Sequence, residues 1–116
     1  MDEKTAKDIL SLHNIRCIHI TDIGLGFIST MAKLRSLSAR WCPQVRDFGL
    51  QTICSMKTLE TISVSGCQQM SVNGLLCLVQ MRHLKEIELT NCPGATPELI
   101  RYLEDHLPPT TIIIGS

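Results

Sequence analysis

Apolar positions return along the chain in a fixed frame: Ile9, Leu34, Leu59 and Leu84, then Leu12, Leu37, Ile62 and Ile87, then Asn14, Ala39, Val64 and Leu89. The frame closes on Cys17, Cys42, Cys67 and Cys92, evenly spaced and without an insertion, so each copy reads L-x-x-L-x-L-x-x-C, with Asn14 the polar member of an otherwise apolar column. Alternation in Leu37-Ser38-Ala39 and Ile62-Ser63-Val64 is the two-residue period of a strand with one buried face. Past each cysteine the period changes. Gly24, Gly49 and Gly74 precede Leu25, Leu50 and Leu75, and apolar residues continue at three-residue steps through Ile28, Ile53 and Leu78 to Met31, Met56 and Met81. That spacing predicts one apolar face on a helix. Each unit is therefore a strand, a turn and a helix.

A short strand plus a helix in roughly 20 to 29 residues cannot bury its apolar face alone, so copies must stack, as in the leucine-rich repeat. The expected fold class is α/β: a leucine-rich-repeat solenoid of the cysteine-containing type. One domain over 1–116 is expected, with units at about 9–33, 34–58, 59–83 and 84–108 and a closing strand at 110–115. Thr21, Asp22, Asp47 and Ser71 stand where helix starts need capping groups, and Thr96-Pro97-Glu98 is a strong start signal for the last helix. That helix should turn Ile100, Leu103 and Leu107 inward and Arg101, Glu104 and Asp105 outward, until Pro108-Pro109 stops it ahead of Ile112-Ile113-Ile114. The isoleucines read as a native closing strand. The short start ahead of Ile9 and the polar Asn14 fit either an array that continues upstream, the favoured reading, or a first unit that is a degraded cap with its polar groups in solvent.

Eleven basic and eleven acidic residues leave no net field for a phosphate backbone or an anionic bilayer, and four aromatic residues make a poor base-stacking surface. Neither nucleic acid nor a membrane is expected as a partner. No apolar run approaches the roughly 20 residues that span a bilayer, and Met1-Asp2-Glu3-Lys4 is too polar for a secretory signal. The chain reads as soluble and intracellular, cytoplasmic first and nuclear second. Four of the six cysteines occupy a repeat column suited to a small buried thiol, and no Asn-x-Ser/Thr acceptor occurs, so reduced thiols are expected.

Candidate chemistry is sparse. Cys17 and His19 stand close enough to suggest a ligand pair, but no second metal-binding pair accompanies them, and a packed thiol is the better account. Cys54 and Cys77 fall outside the repeated column and read as small packing residues. Gly24-Leu25-Gly26 lacks the third glycine and the acidic partner of a dinucleotide site. His13, His83 and His106 take polar positions. Glu86 and Glu88 share a strand face without a converging acid or base, which argues against paired-carboxylate catalysis. No cofactor, no metal and no enzymatic activity are expected.

The informative surface is the outward row of the strands. The same frame gives Ser11, Ser36, Thr61 and Glu86 in one column, His13, Ser38, Ser63 and Glu88 in the next, and Ile15, Arg40, Ser65 and Thr90 in the third. Small hydroxyls let a partner approach, and the two glutamates favour a basic patch on it. Trp41 beside Arg40 pairs two residue types common in interface hot spots. The candidate partner-binding residues are Ser36, Ser38, Arg40, Trp41, Thr61, Ser63, Glu86 and Glu88; for any one of the strand-face residues an ordinary solvated sheet face is an equal reading, and for Trp41 packing against neighbouring turns is.

Leu34-Arg35-Ser36-Leu37, Arg40-Trp41-Cys42, Arg46 through Leu50 and, most narrowly, the stretch from Glu88 to Leu99 resemble the cysteine-containing leucine-rich repeats of F-box proteins, over about Ile20 to Leu107. The resemblance implies the half of such a protein that holds a partner or a ubiquitination substrate. In that family Skp1 is docked by an F-box segment, which this sequence does not contain. Asn14, Ala39 and the tail after Leu107 depart from the family pattern. The reading is a protein-recognition module of an SCF-type ubiquitin ligase, with a scaffold or regulatory adaptor lacking any ubiquitin link as the second.

Overall fold

The alternation of apolar and polar residues builds five short strands: β1 (Asn14–Cys17), β2 (Ser36–Ala39), β3 (Thr61–Ser63), β4 (Glu86–Glu88) and β5 (Ile112–Ile114). They lie side by side in chain order as one parallel sheet. The computed structural model describes the backbone of residues 14–17 and 20–115, with side chains from Ile20 onward. Between strands the three-residue spacing forms α1 (Asp22–Ile28), α2 (Asp47–Ile53), the single turn α3 (Val72–Leu75) continued by a 3₁₀ segment (Leu76–Gln80), and α4 (Pro97–His106). Thr21, Ser71 and Thr96 cap three of these helices by accepting from the amides of Gly24, Gly74 and Leu99 at 3.2–3.4 Å.

The core lies between sheet and helices and follows the apolar columns. Leu37, Ile62 and Ile87 from the strands meet Leu25, Leu50 and Leu75 and then Met31, Met56 and Met81 from the helical side, all buried. In α4 the buried residues are Leu99 and Leu103, followed by Leu107, whereas Ile100 is only half-buried. The expected Ile100 position is thus taken by its neighbour Leu99.

Cys42, Cys67 and Cys92 are buried. The Cys67 thiol donates to the carbonyl of Ala39 at the end of β2, at 2.9 Å, and the Cys92 thiol to that of Val64 just past β3, at 3.0 Å. Burial pushes the Cys67 thiol up to about 11 and moves Cys92 in the same direction. The side chain of Cys17, and the whole of Ile9, Leu12, Ser11, His13 and His19, lie outside the described residues.

Asp22 and Asp47 do something the sequence did not announce. Each sits at the start of one helix and accepts from the backbone amide just ahead of the next: Asp22 from Arg46 at 2.7 Å, Asp47 from Ser71 at 2.8 Å, with the Ser71 hydroxyl on the second Asp47 oxygen at 2.5 Å. These carboxylates occupy the space into which a Cβ on Gly49 or Gly74 would project.

Two expectations are corrected. The cysteine frame pairs Asn14 with Ala39, but β1 is shifted out of that frame: Asn14 pairs with Ser36, Ile15 with Leu37, Arg16 with Ser38 and Cys17 with Ala39. Asn14-Ile15-Arg16-Cys17 keeps the alternation of Ser36-Leu37-Ser38-Ala39, and strand register follows that alternation. The register therefore asks for no aliphatic at Asn14. The second correction concerns the leucine-rich-repeat solenoid. The chain forms a small α/β domain with a parallel sheet, and its helical layer is not a uniform repeat, running from one α-turn plus a 3₁₀ segment in α3 to a full helix of three turns in α4. Its radius of gyration, 13.5 Å, matches the about 13 Å of a compact domain of this length.

Candidate functional site

Two columns cross the outward side of the sheet. One runs Ser36, Thr61, Glu86, Ile112 and the other Ser38, Ser63, Glu88, Ile114, each residue in register with the next. The six polar members are half-buried, while Ile112 and Ile114 are exposed at 60% and 40%. These two columns thus hold six of the eight residues singled out in the sequence. The structure adds an apolar end that sequence columns missed, because the frame carries Glu86 onto Thr111, whereas the register pairs Glu86 with Ile112.

Arg40 joins the face from the turn after β2. Its Nη2 lies 3.4 Å from Glu88 Oε1, and the same oxygen accepts the buried Ser65 hydroxyl at 2.7 Å. Glu88 is therefore already matched within the chain, which leaves Glu86 as the carboxylate of this pair with charge to offer a partner. Ser63 Oγ, in the centre of the sheet, is a buried side-chain oxygen with no hydrogen-bond partner among the described residues. Such a group favours a donor or acceptor brought by something else.

Trp41 stands apart from the sheet face. Its backbone is left-handed at φ 57°, as are Gly66 at 75° and Asn91 at 62° in the same position of successive turns. Its amide donates to the Ser65 carbonyl at 2.7 Å, and its indole covers Gly66 closely enough to occupy the place of a Cβ there. The exposed indole walls a cleft of about 290 Å³ together with Gln68, Leu89, Asn91, Cys92, Pro93 and Ala95. A signal for this turn was present: glycine and asparagine are the residues that tolerate positive φ most readily.

Cys54 and Cys77, separate in the repeat frame, meet between adjacent helical segments. Hydrogen bonding to Cys77, helped by burial, holds the Cys54 thiol up, and the same bond draws Cys77 down. His83 Nε2 donates to the Met56 carbonyl at 2.8 Å, and His106 Nδ1 donates to that of Tyr102 at 2.8 Å. Among the described residues no three His, Cys, Asp or Glu side chains gather as a metal site, and no helix is long and apolar enough to cross a membrane.

No family model and no curated protein matches the chain. Solved structures do match. One is a chain of the Rad7–Elc1 complex of yeast, with a TM-score of 0.69 and 16% identity over 84% of this chain. The chain spans 27% of that protein's length. Another is leiomodin-1 actin-binding site 2, with a TM-score of 0.73 and 14% identity over 98% of this chain and 78% of that one. At such identities the likeness is one of fold. With the small α/β architecture described above, the leiomodin-1 match over 98% of the chain replaces the solenoid expected from the period.

Proposed function

We propose that the chain is a protein-recognition module that engages its partner through the outward face of the parallel sheet, and that it serves as the substrate- or partner-holding part of an F-box protein in an SCF-type ubiquitin ligase. The observation that carries the recognition reading is the composition of that face. Small hydroxyls at Ser36, Ser38, Thr61 and Ser63 form a low floor, one hydroxyl lacks a partner among the described residues, and Ile112 and Ile114 stand exposed beside Glu86 and Glu88. Apolar anchors beside a polar floor are the anatomy of a protein interface. The ligase assignment rests on the resemblance of Glu88 through Leu99 to F-box proteins. The descriptions of the two structures above name a protein assembly, a complex of Rad7 and Elc1 in one and an actin-binding site in the other.

The match over nearly the whole chain to an actin-binding site favours a second reading, a scaffold or regulatory adaptor with no link to ubiquitin. One experiment separates them. The full-length product is expressed in cells with the native face or with Ile112→Ser and Ile114→Ser, and captured polypeptides are assayed for ubiquitin conjugates. Conjugates that depend on both the face and co-purifying Skp1 support the ligase reading. Face-dependent capture without Skp1 supports the adaptor, and capture indifferent to the face overturns both.

A further inference from the structure

A second surface lies along the edge where the chain enters the strands. The turns leading into β2, β3 and β4 carry Lys33, Arg35, Lys57, Arg82 and Lys85, against a single acid, Glu60. Glu60 is claimed from both sides, by Lys85 Nζ at 2.5 Å and Arg35 Nε at 4.0 Å, and these cations hold its carboxyl below the usual range, the Lys85 hydrogen bond contributing most. Among the described residues no carboxylate pairs with Lys33, Lys57 or Arg82. A chain with no net charge therefore keeps an edge that is almost wholly basic.

This edge is grooved and held in place. A cleft of about 720 Å³ between successive turns is lined by Cys54, Ser55, Lys57, Gln80, Arg82 and His83. Its neighbour, about 300 Å³, is lined by Ala32, Lys33, Arg35 and Thr58. Neither wall contains a carboxylate. The turns are fixed to one another by side chains that donate to carbonyls of the preceding turn: Thr58 to Leu34 at 2.7 Å, His83 to Met56 at 2.8 Å and Thr111 to Leu84 at 2.9 Å. Arg82 is steadied by donating to the His106 carbonyl at 2.6 Å, which leaves its charge unopposed. Two clefts in a row, walled by donors and cations on a preordered backbone, suit an extended anionic chain.

We infer that this basic edge is a docking groove for an acidic, extended peptide segment of a protein partner. Charge complementarity selects the acid. The absence of phenylalanine, tyrosine and tryptophan from both cleft linings, with the single His83 ring engaged on a backbone carbonyl, removes the platforms that base stacking would need and selects a peptide over a nucleic acid. The inference does not depend on the sheet face, from which the groove is a separate surface.

The test is fluorescence anisotropy of the chain with a labelled polyglutamate peptide long enough to span both clefts. Polyglutamine of equal length, a thymidine oligonucleotide of equal charge and phosphatidylserine vesicles complete the series. Saturable binding to polyglutamate alone is expected. It should weaken about tenfold in Lys57→Gln/Arg82→Gln and fade as salt rises, while Glu98→Gln, at the exposed start of α4, leaves it unchanged. Because Arg82 also holds a backbone carbonyl, Lys57→Gln and Lys33→Gln are measured singly, and each should weaken binding in proportion. Tighter binding to the oligonucleotide or the vesicles, or polyglutamate binding indifferent to all these substitutions, overturns the assignment.

Discussion

The carboxylate of Asp47 fills the space that a side chain on Gly74 would need, and the same relation joins Asp22 to Gly49 one unit earlier. The next pair along the chain is Val72 and Leu99. There the aspartate is gone, and the glycine has become a buried leucine. The glycine column is thus explained by a neighbour in the preceding unit, in addition to any need of its own helix.

This relation predicts an inverted response to helix propensity. Alanine ordinarily stabilises a helix by about 1 kcal/mol relative to glycine. Gly74→Ala should instead destabilise by about 1–3 kcal/mol, because the new methyl meets the Asp47 side chain. In an Asp47→Ala background the penalty should shrink, giving a favourable coupling of about 1 kcal/mol in a urea-unfolding double-mutant cycle. Additive effects would show that the contact does not set the residue choice.

The buried thiols predict a loss of stability at alkaline pH. Burial raises Cys67 from 9.0 to about 11, so between those values the folded state holds a proton that the unfolded chain has released. Stability is complete below pH 9.0 and falls through the window up to about 11. One thiol titrating this way contributes up to about 1.4 kcal/mol per pH unit. Urea midpoints measured across this range should decline, and Cys67→Ala should flatten the decline. An unchanged slope in that variant would assign the effect to other groups.

The left-handed turn at Trp41 predicts which replacements are tolerated there. Trp41→Asn and Trp41→Val discard the same indole contacts over Gly66, but only asparagine accepts positive φ with ease. The valine variant should be less stable by about 1–2 kcal/mol, read as the difference between their urea midpoints. Equal stabilities would mean that the turn relaxes out of the left-handed region.

Much of the interior was legible from the sequence. The columns Leu34, Leu59, Leu84 and Met31, Met56, Met81 are buried where the period put them, because one face of each element must pack and spacing reveals that face. The offset of β1 was hidden by the cysteines: their even spacing suggested that Cys17 would stand level with Cys42, while the alternation through Ile15 and Cys17 carried the register onto Ala39. The Asp22–Gly49 relation was hidden because it links residues in different units, where local patterns carry no signal. The basic edge escaped for a related reason. Net charge records how many charges a chain has, and only the stacking of turns shows that Lys33, Lys57 and Arg82 share one side. In the outward columns the sequence placed Glu86 and Glu88 correctly on one face but could not show that Arg40 and Ser65 already engage the second.

That engagement separates the roles of the two glutamates. Glu88→Ala would leave the buried Ser65 hydroxyl without its acceptor, at a cost of about 1–3 kcal/mol, whereas Glu88→Gln retains an acceptor oxygen and loses only a half-exposed ion pair worth under about 1 kcal/mol. Glu86 accepts no such internal bond among the described residues, so Glu86→Gln should leave stability within about 0.5 kcal/mol of the native chain. Binding should follow the reverse order. A basic partner on the sheet face loses more from Glu86→Gln than from Glu88→Gln, since Arg40 already offsets the charge of Glu88. Calorimetric titration of both variants with a lysine-rich peptide, beside their urea midpoints, checks the two orders together. Equal losses of binding would show that the Arg40 pair opens when a partner arrives.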